Sequence, residues 1–272
     1  VNSLKNKTMI SPLAYVDPDA KLGKNVVIHP FAFIDKDVEI GDNCVIYPYV
    51  SIMNGARLGK NIKVYNGAII AADPQDFRWK GEKTYCTIGD NTIVREQVII
   101  NRSIYEGKAT SVGANCFLMA ECHIGHDCNI ADKCVLGNSS QLSGDVKIDT
   151  CTILSTSVKV YGGSRIGTWA FIKGGCRISG NVPPYVIMAH NPAMYYGVNA
   201  AVMRTKPDLF SEERIDDIAK AYRHIYQCNV SIFNAIKRIQ ADVAESKEKK
   251  EILSFIKNCN NKIIALPRID EY

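Results

Sequence analysis

Aliphatic residues recur at every sixth position along most of this chain. Starting at Val16, the series reads Leu22, Ile28, Ile34, Ile40, Ile46, Ile52, Leu58, Val64 and Ile70, and it resumes in phase at Ile88, Val94 and Ile100. After one miss at Glu106 it runs from Val112 through Leu118, Ile124, Ile130, Leu136, Leu142, Ile148, Leu154, Val160, Ile166 and Ile172 to Ile178. Four residues behind each member lies a second series of smaller side chains. It includes Ala20, Val26, Ala32, Val38, Cys44, Val50 and Ala56, and later Cys116, Cys122, Cys128, Cys134 and Ser140. A period of six held over this span is the signature of a hexapeptide parallel β-helix. A β-sandwich would alternate with period two between irregular turns.

Each hexad supplies a short strand and a turn, and three hexads close one triangular coil. The large aliphatic points inward and stacks on its equivalents above and below. The fifth position also points inward, near a corner, and admits only modest side chains. Gly, Asp and Asn at the second to fourth positions, as in Gly41-Asp42-Asn43 and Gly89-Asp90-Asn91, suit backbone with positive φ. Each coil touches only its neighbours, so the domain grows as a solenoid.

The repeat sets the domain boundaries. Residues 9–184 form the β-helix, with a loop excursion at 71–87 that lacks hexad aliphatics yet returns in phase, to the same face. Long loops in compact domains are commonly functional. Phe77 and Trp79 are too apolar for a loop lying wholly in solvent, so it folds onto a neighbour. A shorter excursion surrounds Ser103 to Ser111. Pro183 and Pro184 stop strand pairing. Residues 185–272 are a connector and a C-terminal helical domain. There Ser211 is an N-cap, and the stripes Ile215/Ile218/Tyr222/Ile225, Ile232/Ala235/Ile236/Ile239 and Ile252/Phe255/Ile256 predict three helices. Lys237, Arg238 and the run Lys247 to Lys250 read as solvated faces.

Composition narrows the function. The 272 residues carry 33 basic and 28 acidic side chains, a net charge of +5. That suits anionic small molecules or an acidic protein partner and is too weak to argue for nucleic acid. No apolar run reaches the roughly 20 residues a membrane span needs. The N-terminus has no apolar signal core, and Met9 offers a natural start. These features predict a cytoplasmic protein without stable membrane insertion. Of the ten cysteines, Cys44, Cys116, Cys122, Cys128, Cys134 and Cys176 fall on the small inward position, where cysteine acts as a small hydrophobe. Those from Cys116 to Cys134 are spread over successive faces, so they do not converge on one metal ion.

The candidate chemistry lies in Cys122-His123-Ile124-Gly125-His126-Asp127-Cys128. With Ile124 inward, His123 and His126 fall outside the core on neighbouring turn positions. A histidine titrating near neutrality is the natural general base for a hydroxyl, and the following Asp127 can orient it. A surface histidine with no catalytic role is the competing reading.

The hexad solenoid, the loop PQDFRWKGE, the segment HIGHD, the exit NVPPYVI with YGVN, and the three terminal helices together resemble the UDP-N-acetylglucosamine O-acyltransferase family, which opens lipid A biosynthesis. The likeness spans roughly residues 9 to 265. It implies a left-handed β-helix, against the usual right-handed crossover, and a homotrimer with sites between subunits. It implies transfer of an (R)-3-hydroxyacyl group from acyl carrier protein to the 3-hydroxyl of UDP-N-acetylglucosamine. No metal or dissociable cofactor is implied, since the carrier's phosphopantetheine thioester already holds the acyl group.

Position by position, the resemblance makes His126 the general base, with Asp127 behind it. It gives Gly144 the backbone N–H that stabilises the oxyanion. His123, Asp76, Gln75 and Asn199 match substrate contacts, and Arg78 sits where the family can place a lysine. Gly174 falls where residue size limits acyl length. Several positions depart from the pattern. Asn101, Asp145 and Tyr161 stand where well-known members have histidines, Gly162 replaces a glutamine, and Arg204-Thr205-Lys206 replaces a consecutive basic pair. Recognition of the nucleotide is therefore rewritten, and an amino analogue of the acceptor sugar comes into play. The alternatives are another sugar-nucleotide N- or O-acyltransferase of this fold, a γ-type carbonic anhydrase needing a third convergent histidine, and a catalytically silent scaffold.

Overall fold

The computed structural model describes residues 8–260 and 262–264; the reading of the N-terminal leader and the end of the helical domain fall largely outside them. Among the described residues, twenty-eight strands, most of only two residues, form three sheets that are the faces of a left-handed parallel β-helix, with only the last strand antiparallel. The first face holds eleven strands, the second nine and the third eight. Equivalent residues one coil apart are parallel partners, as in Ile28 with Ile46 and Ile46 with Val64. Each aliphatic therefore stacks on another. Ile34, Ile46, Ile52, Ile70, Ile100, Leu118, Ile124 and Leu136 are all 0% exposed. Burying such a side chain contributes about 1.5–3 kcal/mol, and the repetition is what offsets the small core of each coil. The inward cysteines pack as expected: Cys44, Cys116, Cys122, Cys128, Cys134 and Cys176 are buried and free. Burial pushes the Cys128 thiol up to about 12.

The turns divide their work differently from the sequence reading. In the regular turns positive φ belongs to the fourth position, as at Asn43 (59°), Asn61 (57°) and Asn91 (59°); Ala71 (60°), where the first loop departs, is an exception. Short polar side chains tolerate that region. These asparagines also form a ladder, with amide bonds of 3.0 Å from Asn25 to Asn43, 3.2 Å to Asn61 and 3.0 Å to Asn91. Glycine at the second position answers a different need: a Cβ on Gly41 would lie 2.5 Å from the Gly59 carbonyl oxygen. Adjacent coils approach there too closely for any side chain.

Both excursions leave at one corner. The first connects strand Ile69–Ala72 on the second face to Tyr85–Ile88 on the third, and the second connects Ile99–Asn101 to Ala109–Val112 one coil later. The chain thus rejoins at the next face, not the same one. Ladder partners separated by 18 residues elsewhere are 30 apart across the first loop and 24 apart across the second. Each insertion is a whole number of hexads, which is why the phase survives. The two loops lie against each other, with Gly107 N–H donating to the Lys83 carbonyl at 3.0 Å. Trp79 lies under the Arg102 guanidinium, 5.2 Å from its ring centre, whereas Phe77 is 97% exposed.

The prolines end the hexad phase without ending the sheet. Val186–Ala189 pairs in parallel with Phe171–Ile172, and Met194–Val198 returns antiparallel to it. Helix α1 (Ala200–Arg204) follows, then α2 (Glu212–Tyr226), α3 (Ile232–Asp242) and α4 (Lys247–Asn258). Ser211 caps α2 by accepting from Arg214 N–H. Tyr222 joins the helices to the coils, its hydroxyl donating to the Pro184 carbonyl. Lys249 is not a solvated residue. It is 4% exposed, and its ammonium donates to the Gln240 and Val243 carbonyls at the end of α3 and to Glu245. There it satisfies carbonyls that a helix end leaves without partners.

Candidate active site

The corner that releases both loops also carries His126. Strand His123–Ile124 lies on the second face and pairs with Ile99–Asn101 below and Gln141–Leu142 above. Ile124 points inward, so the backbone turns outward at Gly125, and His126 lands on the corner. His123 belongs to this strand and not to the turn. His126 is only 8% exposed, because loop residues surround it outside the aliphatic stack.

Asp127 holds the imidazole. Its Oδ2 lies 2.8 Å from His126 Nδ1. A carboxylate only accepts, so in the neutral ring the proton sits on Nδ1, at the nearer carboxylate, and Nε2 is the basic nitrogen. Asp127 is itself fixed, at φ 59°, by three partners. Its backbone N–H donates to Thr110 Oγ1 at 2.8 Å, the Ser103 hydroxyl donates to Oδ1, and Ile104 N–H donates to Oδ2 at 3.2 Å. The sequence marks the second excursion but does not reveal this role. The signal was there: a short polar insert one coil beyond the long one, at the same corner.

On the other side of the ring stands the first loop. Asp76 Oδ2 is 3.3 Å from His126 Nε2. Arg78 chelates Asp76, with Nε at 3.0 and 3.2 Å and Nη2 at 2.8 Å, and its backbone N–H donates to Oδ1 at 2.8 Å. These bonds hold the Asp76 carboxyl well below the usual carboxylate range. Beneath the ring lies Gly144. A Cβ there would lie 2.3 Å from Cε1 and 2.4 Å from Nε2 of His126.

A cleft of about 340 Å³ opens beside these groups, lined by Gln75, Asn101, His123, His126, Ser143 and Gly144 among others. Asn101 is 1% exposed; its amide nitrogen donates to the Asp73 carbonyl at 2.6 Å and its oxygen faces His123 Nε2 at 2.8 Å. Its polar atoms are thus engaged within the chain. Burial lowers the pKa of His123. Asp145 is exposed one residue beyond Gly144, with its N–H on the His126 carbonyl at 3.0 Å, and Tyr161 is 48% exposed. A larger polar cavity of about 500 Å³, lined by Asp19, Lys36, Asp37, Lys83 and Arg102 among others, includes no histidine or cysteine.

Three predicted site residues lie elsewhere in the chain. Gly174 sits at the corner between the first and second faces. Asn199 is 2% exposed, and its amide donates to the Trp169 carbonyl at 2.9 Å, at the corner between third and first faces. Arg204 is exposed and paired with Glu212 at 2.9 Å. Among the described residues no group of three His, Cys, Asp or Glu side chains is arranged to hold a metal ion.

Residues 37–72 match the bacterial transferase hexapeptide model, and residues 181–264 match the second domain of UDP-N-acetylglucosamine O-acyltransferase. A protein of Myxococcus xanthus named acyl-[acyl-carrier-protein]–UDP-N-acetylglucosamine O-acyltransferase is 41% identical over 91% of this chain and 95% of its own length. One of the same name from Pseudomonas syringae pv. syringae is 38% identical over 94% and 99%. The crystal structure of a UDP-N-acetylglucosamine acyltransferase from Bacteroides fragilis superposes with a TM-score of 0.90 at 41% identity, over 96% of this chain and 100% of that one. The Francisella novicida enzyme gives 0.91 at 33% identity, over 96% and 95%. On sequence, fold and the extent of both matches, the chain belongs to the UDP-N-acetylglucosamine O-acyltransferase family.

Proposed function

We propose that this chain transfers an (R)-3-hydroxyacyl group from acyl carrier protein to the 3-hydroxyl of UDP-N-acetylglucosamine, with His126 as general base, in the first step of lipid A biosynthesis. The observation that carries the catalytic assignment is the His126–Asp127 pair. Asp127 occupies Nδ1, which leaves Nε2 to take the hydroxyl proton. The deprotonating oxygen attacks the thioester carbonyl, and the resulting oxyanion is stabilised at the Gly144 backbone N–H. Collapse breaks the C–S bond and expels the phosphopantetheine thiolate, which recovers the proton from His126. Asp127 stabilises the imidazolium between those steps. The acyl group arrives already activated as a thioester, so the reaction as written needs no metal and no dissociable cofactor.

Asp76 faces Nε2 from the side opposite Asp127. In this reading, the acceptor hydroxyl enters between Asp76 and His126 and bonds to both, while Arg78 holds the carboxylate ionised. Gln75 and His123 line the same cleft and serve the sugar.

The family assignment gives Gly174, Asn199 and Arg204 to substrate as well, yet the first two lie on different corners from His126. Corners of one triangular coil cannot face a common ligand. A complete site therefore requires a second copy, and this supports a homotrimer with sites between subunits. No helix among the described residues is long and apolar enough to cross a membrane, which agrees with a cytoplasmic enzyme acting on carrier-bound acyl groups.

The test is acyl transfer by purified protein, using UDP-N-acetylglucosamine and a series of (R)-3-hydroxyacyl carrier proteins, with product read by mass. Transfer that falls by about 10²–10⁴-fold in His126→Ala, the usual worth of a general base, supports the assignment, provided the variant melts near wild type. Undiminished transfer in a folded variant rejects His126. Transfer only to the 3-amino analogue would move the acceptor class and leave the catalytic residues in place.

A further inference from the structure

Asn101 stands where the family pattern carries a histidine, and nothing about a substituted side chain says what it does instead. The surrounding atoms do. The Asp73 carbonyl can only accept, so the amide end 2.6 Å away is the nitrogen. The other end, 2.8 Å from His123 Nε2, is then the oxygen. An amide oxygen can only accept, so His123 Nε2 carries a proton. The neutral imidazole has one proton to give, and Nδ1 is left as a bare acceptor. The backbone beside Asn101 fastens the same loop: Arg102 N–H donates to the Ala72 carbonyl at 2.9 Å, and its guanidinium reaches Asp73 Oδ1 at 2.6 Å. The root of the loop that carries Gln75, Asp76 and Arg78 is thereby tied to His123 through one buried side chain.

We infer that Asn101 is a positioning residue: it locks His123 in the Nε2–H tautomer, so that Nδ1 accepts a hydrogen bond from a sugar hydroxyl or amide of the acceptor, and it registers the Asp76 loop against that histidine. The second half of this inference rests on the acyltransferase reading; the tautomer does not. Burial lowers the pKa of His123 and so favours the neutral ring that this arrangement uses. The amide is 1% exposed, with both of its polar ends already engaged by Asp73 and His123.

The test begins with the unmutated protein. Its five histidines are labelled with ¹⁵N, and His123 is assigned by loss of its signal in His123→Gln. A proton bonded to Nε2 with a bare Nδ1 at pH 7.5 supports the inference. A proton on Nδ1 overturns it, whether or not the protein transfers acyl groups. Two variants extend the test. Asn101→Leu keeps the shape and removes both polar ends; the tautomers should mix, and KM for the sugar nucleotide should rise about tenfold with a smaller change in kcat, the loss expected for one hydrogen bond. Asn101→Asp keeps an acceptor for His123; it should restore the Nε2–H form and raise the His123 pKa. An unchanged tautomer in Asn101→Leu overturns the inference. Failure of acyl transfer in the wild type, with the Nε2–H tautomer present, would count against the acyltransferase reading alone.

Discussion

The missing side chain of Gly144 makes room for the ring of His126. A Cβ on residue 144 would meet Cε1, Nε2 and Nδ1 of that imidazole at 2.3, 2.4 and 2.9 Å and would meet nothing closer. The absent side chain is therefore part of the catalytic geometry. The ring rests on bare backbone, flanked by Asp127 at 2.8 Å and Asp76 at 3.3 Å.

Gly144→Ala is expected to displace the imidazole and little else. The backbone at 144 is not in the left-handed region that penalises side chains, since positive φ in this segment belongs to Asp127 and Asp145. We expect kcat to fall by about 10²-fold or more, because a misplaced base loses proximity as well as basicity, while the melting temperature changes by only a few degrees. Single-turnover acyl transfer beside a thermal melt checks both. Wild-type kcat in the alanine variant would mean that His126 works from another position.

Ile124→Asp makes the opposite separation. Ile124 lies two residues from the base and is 0% exposed, stacked between Ile100 and Leu142. A carboxylate there has no partner, and an unpaired buried charge costs several kcal/mol even after it neutralises. We expect loss of soluble, cooperatively melting protein, read by circular dichroism. A folded variant would overturn the inward phase of the whole second face.

The third prediction concerns pH. The folded-state pKa of His123 is lowered by burial, while the unfolded chain titrates near 6.5. As pH falls below about 6.5, the unfolded state takes up a proton that the folded state resists. Stability should therefore fall on acidification through that window and recover above it. Urea midpoints measured from pH 8 to pH 5 should show this slope, and His123→Gln should flatten it. An identical slope in the variant would assign the acid sensitivity to other groups.

How far the sequence reaches can be argued from particular residues. Ile28, Ile46 and Val64 recur because every coil solves one packing problem in the same way, so the period alone gives the architecture, the inward phase and the burial of Cys116 to Cys134. Two local rules of the turn are not legible in it. Glycine at the second position of a turn serves close approach between coils, and in the regular turns it is the fourth position that needs positive φ. Both are properties of stacking, which a single hexad does not display. In sequence Lys249 is one of a charged run, because its acceptors, the Gln240 and Val243 carbonyls, lie across a turn that only the folded domain closes.

The sequence by itself determined the repeat, the two interruptions, the helical end and the HIGHD segment, since each is encoded by neighbours in the chain. Tertiary structure decided what those pieces do to one another. His126 becomes an oriented base because Asp127 is held by Ser103 and Ile104 of the second loop and by Thr110 of the strand it leads into. Asp76 reaches it from a loop that is fifty residues earlier in the chain and leaves the solenoid two coils below. Asn101, which looked like a lost histidine, spends its amide between Asp73 and His123. A solenoid brings distant residues together only through the stacking of its coils, and hydrogen-bond direction, unlike hydrophobic period, has no signature until that stacking is in place.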